Sequence, residues 1–456
     1  MDDRPVIVVG AGPAGTRAAQ RLVRAGLRPI VLDENDRQGG QIYRRQPPGF
    51  TRPAARLYGT EAGKATALHR DFEAILPDID YRPGTTAWGV SGDVLLASRG
   101  SAVSELSFSA VIIASGATDR IMPCPGWTIP GVFSLGGAQI ALKAQACAIG
   151  ARPVFMGTGP LLYLVAWQYL KAGVPPVAVL DTSSYADRLR GLRQMAARPR
   201  VLANGLRYLA DLRRAGVMLR TAIRPERIED DGGTVGGIAW RTARGTLQRA
   251  ACDAVGVGYG LRSESQLADL LKCDFAFDSV SAQWAPVIDG FGRTSNRQVY
   301  LAGDGAVLRG ADGAEAAGTL AACALLLDRD HPVATAEIAA LQQRVAVMDR
   351  FRQGLGRAFP WPAHLAGALL DETIVCRCEN ITAGEIRHAA QALDAPDINR
   401  AKALVRPGMG RCQGRMCGLA AAEILAHARG VPAEQVGRIR TAAPVKPLPL
   451  DSRIVP

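Results

Sequence analysis

Four cysteines near the C-terminal end form two pairs, Cys376-x-Cys378 and Cys412-x4-Cys417, separated by thirty-three residues. Four thiolates can hold a zinc ion or an iron–sulfur cluster. Structural zinc favours pairs spaced by about two to four residues, and C-x-C fits that poorly. A cluster, a zinc ion and unmetallated thiols are the readings this spacing leaves open. A second kind of chemistry lies at the other end, where Val6 to Gly15 reads VIVVGAGPAG. Gly10 allows a tight turn, Gly12 lets backbone approach a pyrophosphate, Pro13 and Ala14 open a helix, and Gly15 lets helix and strand pack closely. The helix start offers free N–H groups to phosphate. Ile30-Val31-Leu32 then ends on Asp33 and Glu34. Asp33 lies eighteen residues after Gly15, where a carboxylate can accept from adenosine ribose hydroxyls.

The elements that must position these groups follow from patterning. Val6–Val9, the helical spacing of Ala19, Leu22 and Val23, and Ile30–Leu32 make a strand–helix–strand unit. Gly39-Gly40-Gln41 follows, where bare backbone can lie against a flat ring; an ordinary turn is the plainer reading. Ala54 to Leu68 reads as a helix, and the runs TTAWGV, DVLLAS and ELSFS as an antiparallel meander. Ala110 to Gly116 is an apolar strand ending in small residues, Ala114 and Gly116, and returns to the first sheet. After a Pro/Gly-rich crossover and a helix over 137–149, the opening pattern repeats. Pro153–Met156 leads into Gly157-Thr-Gly159-Pro160, a helix over 161–170, and a strand ending on Asp181. Leu162 stands at the third glycine position, so the usual nucleotide pocket is in doubt there. Residues 183–215 read as helical and Arg-rich, and Asp230-Asp-Gly-Gly as a hairpin turn. Val299-Tyr-Leu-Ala-Gly303-Asp304 is a strand that delivers an acid to a glycine-flanked tip, followed by a helix over 314–327.

In the cysteine region Thr382-x-x-Glu385 is a capping box, with Ile386, Ala389, Ala390 and Leu393 on one helical face. A second helix spans about 419–428. Each cysteine pair thus sits in a loop beside a helix start. The fold class expected is α/β. It has two Rossmann-like nucleotide-binding domains, the second inserted in the first, and a small, mainly helical iron–sulfur domain. The boundaries are 1–120 with 256–330, 121–255 for the insertion, a linker over 331–370, and 371–456.

Composition narrows the classes. The chain has 456 residues, a net charge of +12 and 48% apolar residues. The positive charge is spread through Arg with no basic stripe or interleaved aromatics, which argues against nucleic-acid binding and for anionic cofactors or an acidic partner subunit. No apolar run reaches the roughly 18–20 residues of a membrane span. The start, MDDRPVIVVG, has no signal-peptide layout. The expected location is the cytoplasm, or peripheral at the inner face of the membrane. Cys124, Cys147, Cys252, Cys273 and Cys323 are scattered singly and read as buried small apolar residues. The histidines (His69, His331, His364, His388 and His427) are isolated, and no residue is an obvious general base.

GAGPAG, GGQI, IIASG and VYLAGD, in this order, resemble the two-dinucleotide-binding-domain flavoproteins of the glutathione reductase and thioredoxin reductase type over residues 5–330. That resemblance implies FAD. The first unit would hold its ADP part and Asp304 its ribityl chain. The helix near Ala316 and Ala317 would point its positive end at the flavin ring. No C-x-x-C lies near that region, so the redox disulfide of the disulfide reductases is missing and electrons must leave by another route. CRCE and GRCQGRMC resemble the bacterioferritin-associated-ferredoxin-like [2Fe–2S] domain. This implies Cys376, Cys378, Cys412 and Cys417 as ligands, although C-x4-C is wider than that domain's usual C-x2-C.

Over nearly its full length the chain resembles the α (A) subunits of bacterial heteromeric FAD-dependent amine dehydrogenases, the opine oxidase, D-hydroxyproline dehydrogenase and hydrogen cyanide synthase B type. That family implies a β subunit of the glycine and D-amino-acid oxidase flavoprotein type, which oxidises the amine. It also implies a small ferredoxin-like γ subunit, an FMN shared with the partner, and ATP or another adenine nucleotide in the second unit at Gly157, Gly159, Pro160 and Asp181. The expected function is an electron-transfer subunit that passes electrons from the partner's flavin to a quinone or other carrier. The alternatives are a self-contained NAD(P)H-dependent reductase, in which Asp181 binds the ribose, and a redox- or iron-sensing scaffold.

Overall fold

A computed structural model describes residues 4–454. The first sheet is parallel, with strand order Val299–Leu301, Ala110–Ile113, Val6–Val9, Ile30–Leu32 and Asp80–Arg82. Its three central strands are continuous apolar runs, buried throughout, as a sheet covered on both faces requires. Val8 pairs with Val31 on one side and Ile112 on the other, so strand order reverses at Val6–Val9. The crevice beyond the carboxyl end of that strand is where open α/β sheets bind ligands. The helices Pro13–Val23 and Gly310–Leu327 cover this sheet and touch through small residues. A Cβ on Gly318 would stand 2.0 Å from the Ala14 carbonyl oxygen, and one on Gly15 1.7 Å from that of Gly10.

The second parallel sheet has the order Met218–Arg220, Ala178–Asp181, Pro153–Thr158, Ala254–Tyr259 and Val132–Ser134. It is the inserted copy of the opening unit. The chain crosses between the two units twice, at Ala117–Asp119 and Leu261–Ser263, and these crossings pair antiparallel. The meander forms as Thr86–Ser91, Val94–Arg99 and Ala102–Ser107. The hairpin turn at Gly232 and Gly233, both at positive φ, joins Arg224–Asp231 to Thr234–Arg241. Among the described residues no helix is long and apolar enough to cross a membrane.

The cysteine region shares a core with the second unit. Ile386, Ala389 and Leu425 belong to the same apolar cluster as Val154, Leu180 and Val257. Trp127 of the crossover donates its Nε1–H to the Ile374 carbonyl at 2.5 Å. The capping box forms as expected, with Thr382 accepting from the Glu385 N–H and Glu385 from the Thr382 N–H. Beyond residue 441 the chain leaves this region and returns to the first unit, where Arg453–Ile454 adds a strand beside Ala102–Ser107.

Several expectations are corrected. The helix expected over 54–68 is interrupted at Gly59 (φ +59°) and resumes as Ala62–Glu73. The stretch 183–215 splits into Tyr185–Met195 and Pro199–Arg214, because Pro199 has no N–H to continue the first helix. Residues 331–370 contain a 24-residue helix, Thr335–Ala358, whose Gly354 lies against Gly191. Leu393 falls beyond the helix Ala383–Gln391 and is exposed. Cys147 is exposed, unlike the other four single cysteines.

Candidate functional site

A cavity of 1160 Å³ opens at the reversal point of the first sheet. Gly10, Gly12, Pro13 and Ala14 line it, together with Asp33, Glu34, Gly40, Gln41, Ala114, Gly116 and Asp304. Gly10 holds φ +104°, and a Cβ there would stand 2.5 Å from the Ala114 carbonyl oxygen. The GGQI stretch folds over this turn. Gly39 N–H donates to the Ala11 carbonyl at 2.9 Å, and a Cβ on Gly40 would meet Gly12 Cα at 2.9 Å. The glycine pair therefore both packs against the turn and lines the cavity.

Asp33 is 4% exposed. Its Oδ2 accepts the Ala11 N–H at 2.6 Å, and its Oδ1 the Asn35 N–H at 2.7 Å. Burial raises its pKa against these bonds. The carboxylate thus shapes the glycine turn directly; Oδ1 also accepts from Asn35 Nδ2 at 2.8 Å, so Oδ2 is the oxygen that keeps a lone pair for a hydroxyl. Asp304 accepts the N–H groups of Arg309 (2.8 Å) and Gly310 (3.0 Å), both on Oδ1. Among the described residues no donor reaches its Oδ2. Burial raises the Asp304 pKa as well.

Gly15 packs helix against strand, as its place in the motif implies, and does not line the cavity. Two further expected residues stand elsewhere. Gly303 is a packing position; a Cβ there would meet Ala14 Cβ at 2.8 Å. Ala316 lies in the core with Leu320 and Leu341. The long helix begins at Gly310, one turn earlier than its apolar run suggests, so Gly310, Ala311 and Ala314 face the cavity instead.

The donor set and shape fit FAD. Bare backbone at Gly10 and Gly12 opens a helix N-terminus, and a buried carboxylate has a free oxygen. Gly116 (φ +75°) has no atom within 4 Å of where a Cβ would stand, so a side chain there would enter the cavity.

Cys378 and Cys412 line the same cavity, beside Arg377, Arg411 and Met416. The four thiols are free and are neighbours: Cys417 interacts with Cys376 and Cys412, and Cys378 with Cys412 and Cys376. The Cys376 thiol is pushed down to about 6, first by Cys417 and then by the N–H groups of Gly408, Glu379 and Cys378 against the effect of burial. Cys412 is pushed down to about 5 by Cys417, with the N–H groups of Met416 and Gly414 also pointing at it. Gln413 and Gly414 both take positive φ, and this turns those N–H groups inward. Among the described residues no three His, Cys, Asp or Glu side chains converge as one metal ion needs. A two-iron cluster spreads its four thiolates over two irons, so four neighbouring thiols that do not converge on one point fit it better than they fit zinc.

Sequence reasoning missed what clamps this loop in place. Arg415 lies between Cys412 and Cys417 and pairs with Glu264, which directly follows the second crossing strand. Gln266 Nε2 donates to the Gln413 carbonyl at 2.8 Å. The only local signal is a polar run, Ser263 to Gln266, at a strand end where burial is expected. Trp361 packs within the chain, beneath Arg120 (4.1 Å) and bonded to Glu423 (2.9 Å).

The second unit is arranged differently. Gly157, Gly159, Pro160 and Asp181 lie outside the cavity. A Cβ on Gly157 would stand 1.7 Å from the Gly258 carbonyl oxygen, so this glycine serves strand packing. Asp181 is fully buried. It accepts from Tyr163 Oη and Arg188 Nη2, both at 2.8 Å, and from the Ser183 N–H at 2.8 Å. The expected ribose acceptor is thus neutralised inside the protein.

Comparison with known proteins agrees with this architecture. Residues 4–322 match the pyridine nucleotide-disulphide oxidoreductase family, and residues 374–427 the BFD-like [2Fe-2S] binding domain. The chain is 38% identical to the A subunit of opine oxidase from Rhizobium meliloti, over 98% of this chain and 86% of that one. It is 32% identical to the hydrogen cyanide synthase subunit HcnB of Pseudomonas aeruginosa, over 99% and 98%. In fold it resembles L-proline dehydrogenase from P. horikoshii, with a TM-score of 0.72 at 16% identity over 98% of this chain and 78% of that one. The chain therefore belongs to the pyridine nucleotide-disulphide oxidoreductase family, in the branch of HcnB and the opine oxidase A subunits, and is an FAD-dependent oxidoreductase with a C-terminal [2Fe–2S] domain.

Proposed function

We propose that this chain is the electron-transfer subunit of a heteromeric dehydrogenase. The complex would oxidise the C–N bond of an amino-acid-type secondary amine, such as D-hydroxyproline or an opine, with proline, or the primary amine glycine, as further candidates. The observation that carries the reading is the single cavity that runs from the glycine turn and Asp33 to Cys378 and Cys412. FAD exchanges two electrons with a donor and can release them singly, and a [2Fe–2S] centre accepts one at a time.

The chain's own residues bind and orient. Gly12 and Ala14 would present backbone N–H groups to the pyrophosphate, while Gly10, whose N–H is spent on the Leu32 carbonyl at 2.7 Å, and Pro13 shape the turn. Asp33 and Glu34 face the adenosine ribose, and Asp304 Oδ2 takes a ribityl hydroxyl. Gly40, Gln41, Ala114 and Gly116 leave room for the ring system. The start of the helix Gly310–Leu327 favours negative charge there. Cys376, Cys378, Cys412 and Cys417 hold the cluster. None of these groups is placed to take a proton from an amine, which supports assigning that step to a partner.

HcnB and its opine oxidase counterparts are named as subunits, and this supports a β partner of the amine-oxidising flavoprotein type, with a ferredoxin-like γ subunit. A quinone or another carrier is the acceptor, met in the cytoplasm or at the inner membrane face. An adenine nucleotide in the second unit would rest on the N–H groups of Gly159 and Leu161, at a helix start opened by Pro160, without help from Asp181. A shared FMN would have to rest chiefly on the partner.

The engagement of Asp181 by Tyr163 and Arg188 counts against a self-contained NADH-dependent reductase. Anaerobic titration of the isolated, FAD-loaded chain with NADH tests this. Unchanged flavin absorbance is expected. Stoichiometric bleaching would make the chain a nicotinamide-dependent reductase.

A further inference from the structure

The chain beyond residue 441 lies outside both matched stretches and returns to the first unit. It does so as an anchored strap. Thr441 N–H donates to Asp269 at 2.7 Å. Val445 is 1% exposed, and its N–H donates to the Trp88 carbonyl at 2.8 Å. Lys446 Nζ pairs with Glu34 Oε2 at 2.8 Å. Arg453 N–H donates to the Ser101 carbonyl at 2.8 Å. Val445 and Lys446 line the cavity on the side of Asp33, Glu34 and Thr85, where the fold places the adenosine half of a dinucleotide. The cysteine loop holds the strap as well. Arg415 Nη1 donates to the Val445 carbonyl at 2.5 Å and to that of Cys412 at 3.3 Å.

We propose that the segment Val445–Lys446 is part of the dinucleotide-binding site: it walls the adenosine end of the cavity and slows the escape of FAD. The inference rests on the placement of FAD in this cavity. Val445 contributes apolar surface that excludes water from the adenosine end. Lys446 holds the Glu34 carboxylate, which would otherwise add to the negative charge of Asp33 and the pyrophosphate. Because Arg415 ties Val445 to the Cys412 backbone, the strap is held most firmly when the cysteine loop is ordered. FAD retention and cluster occupancy are then coupled through one guanidinium.

The test uses the full FAD- and cluster-loaded chain, a variant ending at Ala442, and Lys446→Glu, which sets like charge against Glu34 at a half-exposed position. FAD release after dilution is followed by the rise in flavin fluorescence, and the visible spectrum reports the cluster. Both variants should release FAD about tenfold faster than the parent. Lys446→Glu alone decides the matter if the shortened chain does not fold. Parent-like release from a folded variant would overturn the proposal. A parent chain that holds no FAD at all would overturn the placement of FAD itself, and the strap reading with it.

Discussion

Arg415 and Glu264 form a two-pronged ion pair, Nε to Oε2 at 2.6 Å and Nη2 to Oε1 at 3.2 Å, with both side chains at most a tenth exposed. They lie 151 residues apart in sequence. The pair joins the loop between Cys412 and Cys417 to the crossing that leads back to the first unit. Ser115 Oγ, on the cavity wall, donates to the Glu264 carbonyl at 2.5 Å. The cysteine loop is therefore fixed to the wall of the cavity by buried, directional bonds.

Breaking that pair from one side strands the other charge in the interior. Glu264→Gln and Arg415→Met should each cost about 3–5 kcal/mol, while an apolar double replacement should cost less than their sum. Denaturant unfolding of the three variants checks this. Equal, additive losses would show that the two residues act independently.

The thiols and the glycine turn should separate chemically. Cys376→Ser or Cys412→Ser should remove the iron and its visible absorbance while FAD remains bound. Iron analysis beside flavin absorbance reads both. Loss of FAD alone, with iron retained, would contradict the ligand assignment.

Gly10 and Gly116 predict opposite outcomes on adding a methyl group. Gly10→Ala drives a Cβ into the Ala114 carbonyl and should abolish FAD binding and destabilise the fold. Gly116→Ala meets only open cavity. It should cost roughly 1–2 kcal/mol for its left-handed backbone and weaken FAD about tenfold. Thermal melts and FAD titrations distinguish the two.

Asp269 provides a pH dependence. Burial raises its pKa, but Arg438 (2.7 and 2.8 Å) and the Thr441 N–H outweigh that and hold the carboxyl below its ordinary value of 3.8. A group depressed in the folded state stabilises above its unfolded pKa and loses that contribution as pH falls through the folded value. Stability should therefore be level at neutral pH and decline below about pH 5. In Asp269→Asn the part due to this residue should vanish. Urea midpoints across pH 7 to 3 measure it, and an identical pH slope in the variant would refute it.

Local signals made much of this structure legible. GAGPAG, GGQI and VYLAGD are short runs whose glycines have backbone reasons to be there, and Thr382 with Glu385 is a cap written in four residues. What was not legible depends on contacts distant in sequence. Nothing near Glu264 announces Arg415, and nothing near Glu34 announces Lys446, 412 residues away. The start of the long helix at Gly310 was hidden because Gly310 and Gly313 are weak helix formers, which Asp304 offsets by accepting the Gly310 N–H. The strand position of Asp181 matches that of Asp33, and by pattern alone it is a ligand group. Its neutralisation comes from Arg188, on the helix that follows, and the pattern of the strand says nothing of it.

The most direct test of the relay assignment is the flavin spectrum of this chain under anaerobic conditions, alone and with its amine-oxidising partner, as D-hydroxyproline, opines, proline and glycine are added in turn. The account predicts bleaching by one of these amines only when the partner is present, with cluster absorbance falling in the same reaction. Bleaching of the lone chain by an amine would contradict it and would place amine oxidation on this subunit.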